Sequence, residues 1–236
     1  MNKKTLATVC MALAFSCTSS NLFAKADNLP SIALAQSSPI EDNANCDSKS
    51  ILMKKLNQLN FFTANFSQQV LSESGEVIEE STGKLAISKP NLANWQVLTP
   101  DELSIVSDGA SVWFYNPWIE QVSVYALSAA IARTPILLLT SKDEALWQQY
   151  NVEQKGCQGE QESFIISAID TNSQIKSLTL VFKKMEHGSQ LSQFSFLDAT
   201  GQLSHIKLSE FNDQQAPKQD LFHFAFPQDT QVDDQR

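Results

Sequence analysis

The sequence predicts a mainly β protein, an antiparallel sandwich or barrel, and three observations support that class. Apolar residues alternate with polar ones along "FFTANFSQQV" and "KLAISKP", the period of strands with one buried face. Further short runs of this kind recur roughly every ten residues, with turn signals such as Asp108-Gly109 between them. No repeat with a period of roughly 20–50 residues is visible in the 236 residues, so one domain accommodates all the strands.

The first 26 residues are typical of a secretory signal peptide. Residues 1–4 are basic, and residues 5–15 form an apolar run. That run is too short for a membrane-spanning helix, which needs about 20 apolar residues. Ala24-Lys25-Ala26 fits a small-x-small cleavage site, so we expect cleavage near Ala26 and a mature chain that begins at Asp27, with a start at Lys25 as the alternative.

A leader and two cysteines follow the signal peptide. Residues 27–46 contain two prolines and no sustained period, so we expect a flexible leader there and a single domain over residues 47–236. Cys46 and Cys157 remain after processing. An even number of cysteines in an exported chain favours a disulfide between them, and two free thiols are the alternative. Cys17 also permits lipidation, although Ala14-Phe15-Ser16 before it fits a lipobox poorly.

The chain is acidic, with 26 Asp and Glu against 17 Lys and Arg and a formal net charge of −9. Residues 1–26 hold three of the lysines and none of the acids, so the mature chain is more acidic still. This balance argues against binding to nucleic acid or to anionic lipid surfaces. No second apolar stretch of about 18 residues is present, so we expect a soluble exported protein.

The elements of the domain begin with one helix. Asp47 or Ser48 can cap a helix that runs to about residue 59, with Leu52, Leu56 and Leu59 on one apolar stripe. The pattern then changes to strands, which we predict over residues 61–70, 84–89, 95–98, 103–107, 111–115, 121–126, 147–154, 163–169, 176–182, 191–197, 202–211 and 221–225.

One apolar segment, "LSAAIARTPILLLTSKDEALW", interrupts the strands. The spacing of Leu127, Ile131 and the later leucines suits a short helix that breaks near Pro135. Periodicity alone favours a crossover helix that plugs the open end of the sheet. A movable lid over an apolar cavity is the alternative.

Catalytic and metal-binding motifs are missing from the sequence. It contains no Gly-x-Ser-x-Gly elbow, no Cys-x-x-Cys, no His-Glu-x-x-His and no phosphate-binding glycine loop. His187, His205 and His223 lack the spacing of metal ligands. We therefore expect no enzyme activity, no catalytic residue, no metal and no cofactor. Antiparallel sheets of this size that close partly on themselves can hold small apolar ligands.

The motifs resemble those of LolA-type lipoprotein carriers, periplasmic chaperones of Gram-negative bacteria. The matching stretches lie in order between Phe61 and Arg236: "FFTANFSQQV", "GKLAISKPNLANW", "VSDGASVWFYNPWIEQ", "TPILLL", "WQQYNV" and "VDDQR". The resemblance implies a half-open antiparallel β-barrel of about eleven strands, covered by an α-helical lid over a hydrophobic cavity. In that fold the aromatic stretch Trp113, Phe114, Tyr115 and Trp118, which alone indicates ordinary core packing, would belong to the sheet that shields acyl chains.

The resemblance also implies a function and partners. Such a protein accepts acylated lipoproteins from an inner-membrane lipoprotein-releasing ABC transporter, carries them across the periplasm and hands them to an outer-membrane lipoprotein receptor. Carriage of one lipoprotein at a time favours a monomer. Two other functions stay open: an outer-membrane-anchored acceptor of the same fold, which requires a lipidated Cys17, and a lipid-sensing domain in envelope signalling.

Individual residues acquire roles from the same resemblance. Lys89 stands where the family usually has an arginine that hydrogen-bonds lid carbonyls, and a lysine latch is looser because it lacks the planar guanidinium fork. A salt bridge at the rim is the alternative for Lys89. The acyl-chain cavity is expected to be lined by Trp95, which matches a family tryptophan, and, by strand parity, by Phe62, Phe66, Leu85, Ile87 and Val97. The lid is expected to include Leu127, Ile131, Pro135, Leu137, Leu138 and Leu139.

Overall fold

The computed structural model describes residues 48–131, 134–155, 159–228 and 230–236. The predicted signal peptide, the leader, Cys46 and Cys157 lie outside these residues. The helices are α1 (Ser48–Gln58), α2 (Leu127–Ile131) and α3 (Glu144–Trp147), with 3-10 helices at Pro135–Thr140 and Gln219–Phe222. The strands are β1 (Phe61–Leu71), β2 (Val77–Ser88), β3 (Leu92–Thr99), β4 (Leu103–Asp108), β5 (Ser111–Asn116), β6 (Gln121–Ala126), β7 (Tyr150–Lys155), β8 (Gln161–Ala168), β9 (Ile175–Lys184), β10 (Ser189–Asp198), β11 (Leu203–Asn212) and β12 (Gln231–Asp234).

All twelve strands lie in one sheet, in the order β12-β6-β5-β4-β3-β2-β1-β11-β10-β9-β8-β7. The prediction of a mainly β fold with a few helices is confirmed. The sheet is open rather than closed, because β12 and β7 form its two edges and do not pair with each other within the described residues. It also differs in detail from the expected antiparallel barrel of about eleven strands, since β12 is a twelfth strand and runs parallel to β6.

Two of the predicted strands are wrong in their position. Residues 221–225 do not form a strand; the chain forms a 3-10 helix up to Phe222 and then continues without strand pairing. Trp147 does not begin a strand but ends α3, because the Asp143 side chain accepts a hydrogen bond from Ala145 N and caps that helix. The last strand is instead β12, further towards the C-terminus. Its sequence does not show the apolar alternation of a strand, and it is held in the sheet by backbone pairing with β6.

One face of the sheet carries the main apolar core. Leu52 and Leu56 of α1 are buried against this face, as the predicted apolar stripe requires, while Leu59 after the helix is half-buried. Gly83 in β2 permits close packing within the core. A Cβ atom there would lie 2.6 Å from a ring carbon of Phe66 and 1.9 Å from the carbonyl oxygen of Gln96, so a larger residue cannot occupy this position without displacing β3.

The opposite face of β4, β5 and β6 carries a second, smaller apolar layer, formed with the C-terminal segment. Trp113 stacks on Phe224 with ring centroids 5.8 Å apart, and Tyr115 lies 5.7 Å from the same ring. Of the aromatic stretch, Phe114 packs against the core. Trp113 and Tyr115 face away from it because side chains alternate along a strand, and Trp118 is exposed at the turn after β5. Trp113, Phe114 and Tyr115 thus belong to the sheet as expected, but of these three only Phe114 packs on its core face.

Among the helices that the structure describes, none has the length and apolar character needed to cross a membrane.

Candidate functional site

The residues predicted to line an acyl-chain cavity come together on the core face of three neighbouring strands. Strand pairing sets Phe62 opposite Ile87 and Leu85 opposite Trp95, so β1, β2 and β3 present a continuous apolar surface. Five of the six residues are buried and one is half-buried at the rim. The buried residues are Phe62, Phe66, Leu85, Ile87 and Trp95, and the half-buried one is Val97.

Trp95 connects distant parts of this surface. Its ring makes edge contacts with Phe66, at a centroid distance of 5.2 Å, and with Phe194, at 5.7 Å. Phe194 lies on β10, and β2, β1 and β11 lie between β3 and β10 in the sheet. A ring-to-ring contact across that many strands requires the sheet to curl around the core face, so Trp95 marks the centre of its concave side.

A cover segment, residues 127–131 and 134–147, lies over this concave face. Its central 3-10 helix holds four consecutive aliphatic residues, Ile136–Leu139, each no more than 2% exposed. A helix that is apolar on all sides needs apolar contacts all round, which only burial provides. Ile131 is buried and Leu127 is half-buried. Pro135 is the first residue of the 3-10 helix, which agrees with the predicted break at that position.

The cover segment packs closely against part of the concave face. The pocket bounded by Ile131, Leu138, Tyr150, Ile166 and Leu178 has a volume of about 10 Å³, enough for about one water molecule. At this point the cover segment and the concave face are closely packed. The physical reason is that an empty apolar cavity leaves its lining atoms without dispersion partners, so the leucines of the cover segment occupy it.

Lys89 lies in the turn between β2 and β3 and contacts α1 rather than the cover segment. Its Nζ donates a hydrogen bond to the carbonyl oxygen of Leu56 at 2.5 Å, and its backbone N–H donates to Asn60 O at 2.8 Å. Lys89 therefore donates to a backbone carbonyl, as the sequence predicted, but this carbonyl lies in the last turns of α1 and not in the cover segment. The charge that acts on Lys89 is that of Lys142, which has the same sign.

The same turn holds the cover segment through its backbone. Asn91 N–H donates to the carbonyl oxygen of Thr140, the last residue of the 3-10 helix, at 3.3 Å. The Ser107 hydroxyl, fully buried on β4, donates to Asn91 O at 2.6 Å and fixes the position of the turn. The β2–β3 turn thus joins three elements: α1 through Lys89, the cover segment through Asn91, and β4 through Ser107.

Burial lowers the pKa of Lys89 from 10.5 to about 8, and repulsion from Lys142 adds to this effect. The desolvated ammonium group costs free energy in the folded protein, since only part of its hydration is replaced by the Leu56 carbonyl. At neutral pH the group is charged and donates its hydrogen bond.

The Lys89 pKa predicts a specific pH dependence of stability. Between pH 8 and 10.5 the folded protein has lost this proton while the unfolded chain retains it, so the free energy of unfolding rises with pH in that window. We expect the wild type to gain stability relative to Lys89→Met as pH increases from 8 to 10.5, as measured by urea denaturation of both proteins. Lys89→Arg stays charged and should show no such gain. A difference that is flat or falls would contradict the prediction.

Two lysines of α1 make contacts that the sequence analysis did not predict. Lys55 Nζ lies 2.6 Å from a carboxylate oxygen of Glu162 on β8, donates to the Ser189 hydroxyl at 3.0 Å, and lies over the Phe182 ring. Lys49 Nζ donates to the carbonyl oxygens of Trp147 and Tyr150. No sequence signal could have identified these residues, because lysine on the polar side of a helix is ordinarily solvated and backbone acceptors have no sequence signature.

The described part of the chain has no metal-binding geometry. Within residues 48–131, 134–155, 159–228 and 230–236, no group of three or more His, Cys, Asp or Glu side chains lies close enough together to hold a metal ion. The arrangement that remains is an apolar concave face, an apolar cover and polar contacts at the margins of the cover. Such an arrangement can bind a hydrocarbon if the cover moves.

Comparison with known proteins agrees with this geometry. The family description "Outer membrane lipoprotein carrier protein LolA" matches residues 57–225. A protein of Psychromonas ingrahamii named outer-membrane lipoprotein carrier protein is 40% identical over 186 residues, 79% of this chain and 87% of the relative. One of the same name from Photobacterium profundum is 37% identical over 185 residues, 78% of this chain and 88% of the relative.

Among solved structures, a LolA superfamily protein from Nitrosomonas europaea aligns with a TM-score of 0.45 and 11% identity, over 75% of this chain and 98% of its own. The family match over residues 57–225 includes the concave face, the β2–β3 turn and the cover segment. The chain therefore belongs to the LolA family of outer-membrane lipoprotein carrier proteins.

Proposed function

We propose that this protein is a monomeric periplasmic carrier that shields the acyl chains of lipoproteins between the concave face and the cover segment. It accepts them from an inner-membrane ABC transporter and hands them to an outer-membrane receptor, without an enzymatic step. One observation carries the proposal: Ile136–Leu139 pack with at most 2% exposure onto a concave surface formed by the strands, yet the segment is not itself a strand of the sheet. It can leave without breaking a strand pair.

The energies of opening and of binding are similar in size. Exposing a buried aliphatic side chain costs about 1.5–3 kcal/mol, so lifting four of them from the concave face costs on the order of 10 kcal/mol. Burying an acyl chain gains about 0.8 kcal/mol per methylene, or about 12 kcal/mol for a chain of about 15 methylenes. A single acyl chain thus replaces the leucines of the cover at a small net gain, and a small net gain permits release.

Because the two energies are nearly equal, the direction of transfer depends on the partner proteins. The transporter must supply the energy that opens the cover, because the closed form is preferred without a ligand. The receptor needs only to bind the acyl chain more strongly than the carrier does. The β2–β3 turn acts in this scheme as the latch that holds the closed form, through Lys89 to α1 and through Asn91 to the cover segment.

Release of a labelled lipoprotein from spheroplasts tests the function directly. Spheroplasts that contain radiolabelled outer-membrane lipoproteins are incubated with the purified mature protein, and the label in the supernatant is measured. We expect a soluble one-to-one complex, and transfer of the label to purified receptor without ATP. Retention of the lipoprotein in the membrane, or a released complex that does not pass its cargo to the receptor, would contradict the proposal.

A further inference from the structure

Lys49 lies in the first turn of α1, and its ammonium group contacts two backbone carbonyls of other elements. Nζ donates to Trp147 O at 2.5 Å and to Tyr150 O at 3.1 Å. Trp147 is the last residue of α3, and Tyr150 is the first residue of β7. The two carbonyls therefore flank the short connection by which the cover segment rejoins the sheet.

Both carbonyls lie where a backbone acceptor needs a donor from another element. The last carbonyls of a helix have no partner within that helix, and a cation at this end also interacts favourably with the helix dipole. β7 is an edge strand of the sheet, so among the described strands none pairs with its outward backbone groups. A lysine ammonium group carries three donors, which suffices for both carbonyls.

The surroundings of Lys49 connect this contact to the core. Trp147 is 2% exposed, and its ring makes an edge contact with Tyr150 at a centroid distance of 6.5 Å. Leu52, three residues after Lys49 on α1, is fully buried in the same core. Residues three apart on a helix are neighbours. The N-terminal part of α1 therefore packs Leu52 into the core directly beside the hydrogen bonds of Lys49.

We propose that Lys49 is a positioning residue: it forms a second latch, which couples α1 to the cover segment so that the two open together. This proposal rests on the carrier function proposed above. Lys89, in the β2–β3 turn, holds a carbonyl near the C-terminal end of α1. Lys49, at the N-terminal end, holds the carbonyl of Trp147 at the end of the cover segment and that of Tyr150 at the start of β7. With both bonds in place, neither α1 nor the β7 end of the cover segment can move alone.

Amide hydrogen exchange of α1 and of residues 134–150 tests this role in the absence of any ligand. Lys49→Met retains the aliphatic stem and removes the donors. It is expected to accelerate exchange in both segments by about tenfold, the effect of losing a hydrogen bond from a charged group. Lys54→Met on the same helix is the matched control, since Lys54 is exposed, and should leave exchange unchanged. Lys49→Arg retains donors and should restore slow exchange.

Amides of β1 and β2 report whether each variant is folded, and they should keep wild-type protection in all of them. Exchange in Lys49→Met equal to that in Lys54→Met would overturn the second latch. Acceleration that Lys49→Arg does not reverse would also overturn it, since the effect would then not depend on a donor.

Uptake of a fluorescent long-chain fatty acid separates this proposal from the carrier function. The probe should enter Lys49→Met faster than the wild type. If no variant takes up the probe while exchange in Lys49→Met is still accelerated, the carrier function fails and the latch stands. If the probe enters the wild type and Lys49→Met matches Lys54→Met in both measurements, the latch fails and the carrier function stands.

Discussion

Replacing Trp95 with alanine is expected to lower the free energy of unfolding by about 3–5 kcal/mol, the usual cost of removing a large aromatic side chain from a core. Trp95 is 7% exposed and makes edge contacts with Phe66 on β1 and Phe194 on β10. Its removal leaves a void at the centre of the concave face and breaks the ring contacts that join β3 to β1 and β10. Urea denaturation followed by circular dichroism measures the loss.

Trp118 provides the matched control for this substitution. It is the same residue type, but it lies in the turn after β5 and is 69% exposed. Trp118→Ala should therefore change the free energy of unfolding by no more than about 0.5 kcal/mol. Equal losses in the two variants would show that Trp95 does not hold the curled sheet together in the way its contacts indicate.

Replacing Leu138 with alanine is expected to raise the affinity for a fluorescent acyl probe by at least about 30-fold. A buried Leu→Ala substitution costs about 2–5 kcal/mol, and here the cost falls on the closed form, in which Leu138 occupies the concave face. Since every 1.4 kcal/mol is a factor of ten in binding, weaker closure appears as tighter binding of the probe. Fluorescence titration of the two proteins measures the difference.

Leu178 lies on the sheet side of the same pocket and offers the control. Leu178→Ala removes an apolar contact from the closed form and from the acyl-bound form alike, so the two losses offset each other in the affinity. We expect the probe affinity of Leu178→Ala to stay within a few-fold of the wild type. Weaker binding in Leu138→Ala than in Leu178→Ala would mean that Leu138 contacts the ligand instead of competing with it.

The sequence predicted those parts of the fold in which a local period determines which side is buried. The stripe of Leu52 and Leu56 located α1, and alternation placed Phe62, Phe66, Leu85 and Ile87 on one face. The same reasoning wrongly predicted a strand at residues 221–225. Phe222 and Phe224 alternate there because they cover the back of the sheet, and a chain can do so without forming strand pairs.

The state of the interior could not be predicted from alternation. The period shows that a face is apolar, but a cover segment of the same protein or a ligand can satisfy that face equally well. The polar contacts at the margins of the cover segment could not be predicted from the sequence either. The motif around Lys89 identified its position, whereas its acceptor on Leu56, and both acceptors of Lys49, are backbone carbonyls that only the folded chain brings within reach.

The central claim is that an acyl chain displaces the leucines of the cover segment from the concave face. The distance between the cover segment and the sheet, measured with and without an acyl ligand, tests this claim most directly. Spin labels are placed at Ala129, exposed on α2, and at Lys207, exposed on β11, in a background in which Cys46 and Cys157 are replaced by serine. Pulsed electron paramagnetic resonance is recorded before and after saturation with a triacylated cysteine peptide. Departure of the leucines from the concave face predicts a longer distance in the complex. An unchanged distance with the peptide bound would contradict it, because the acyl chains would then be held elsewhere.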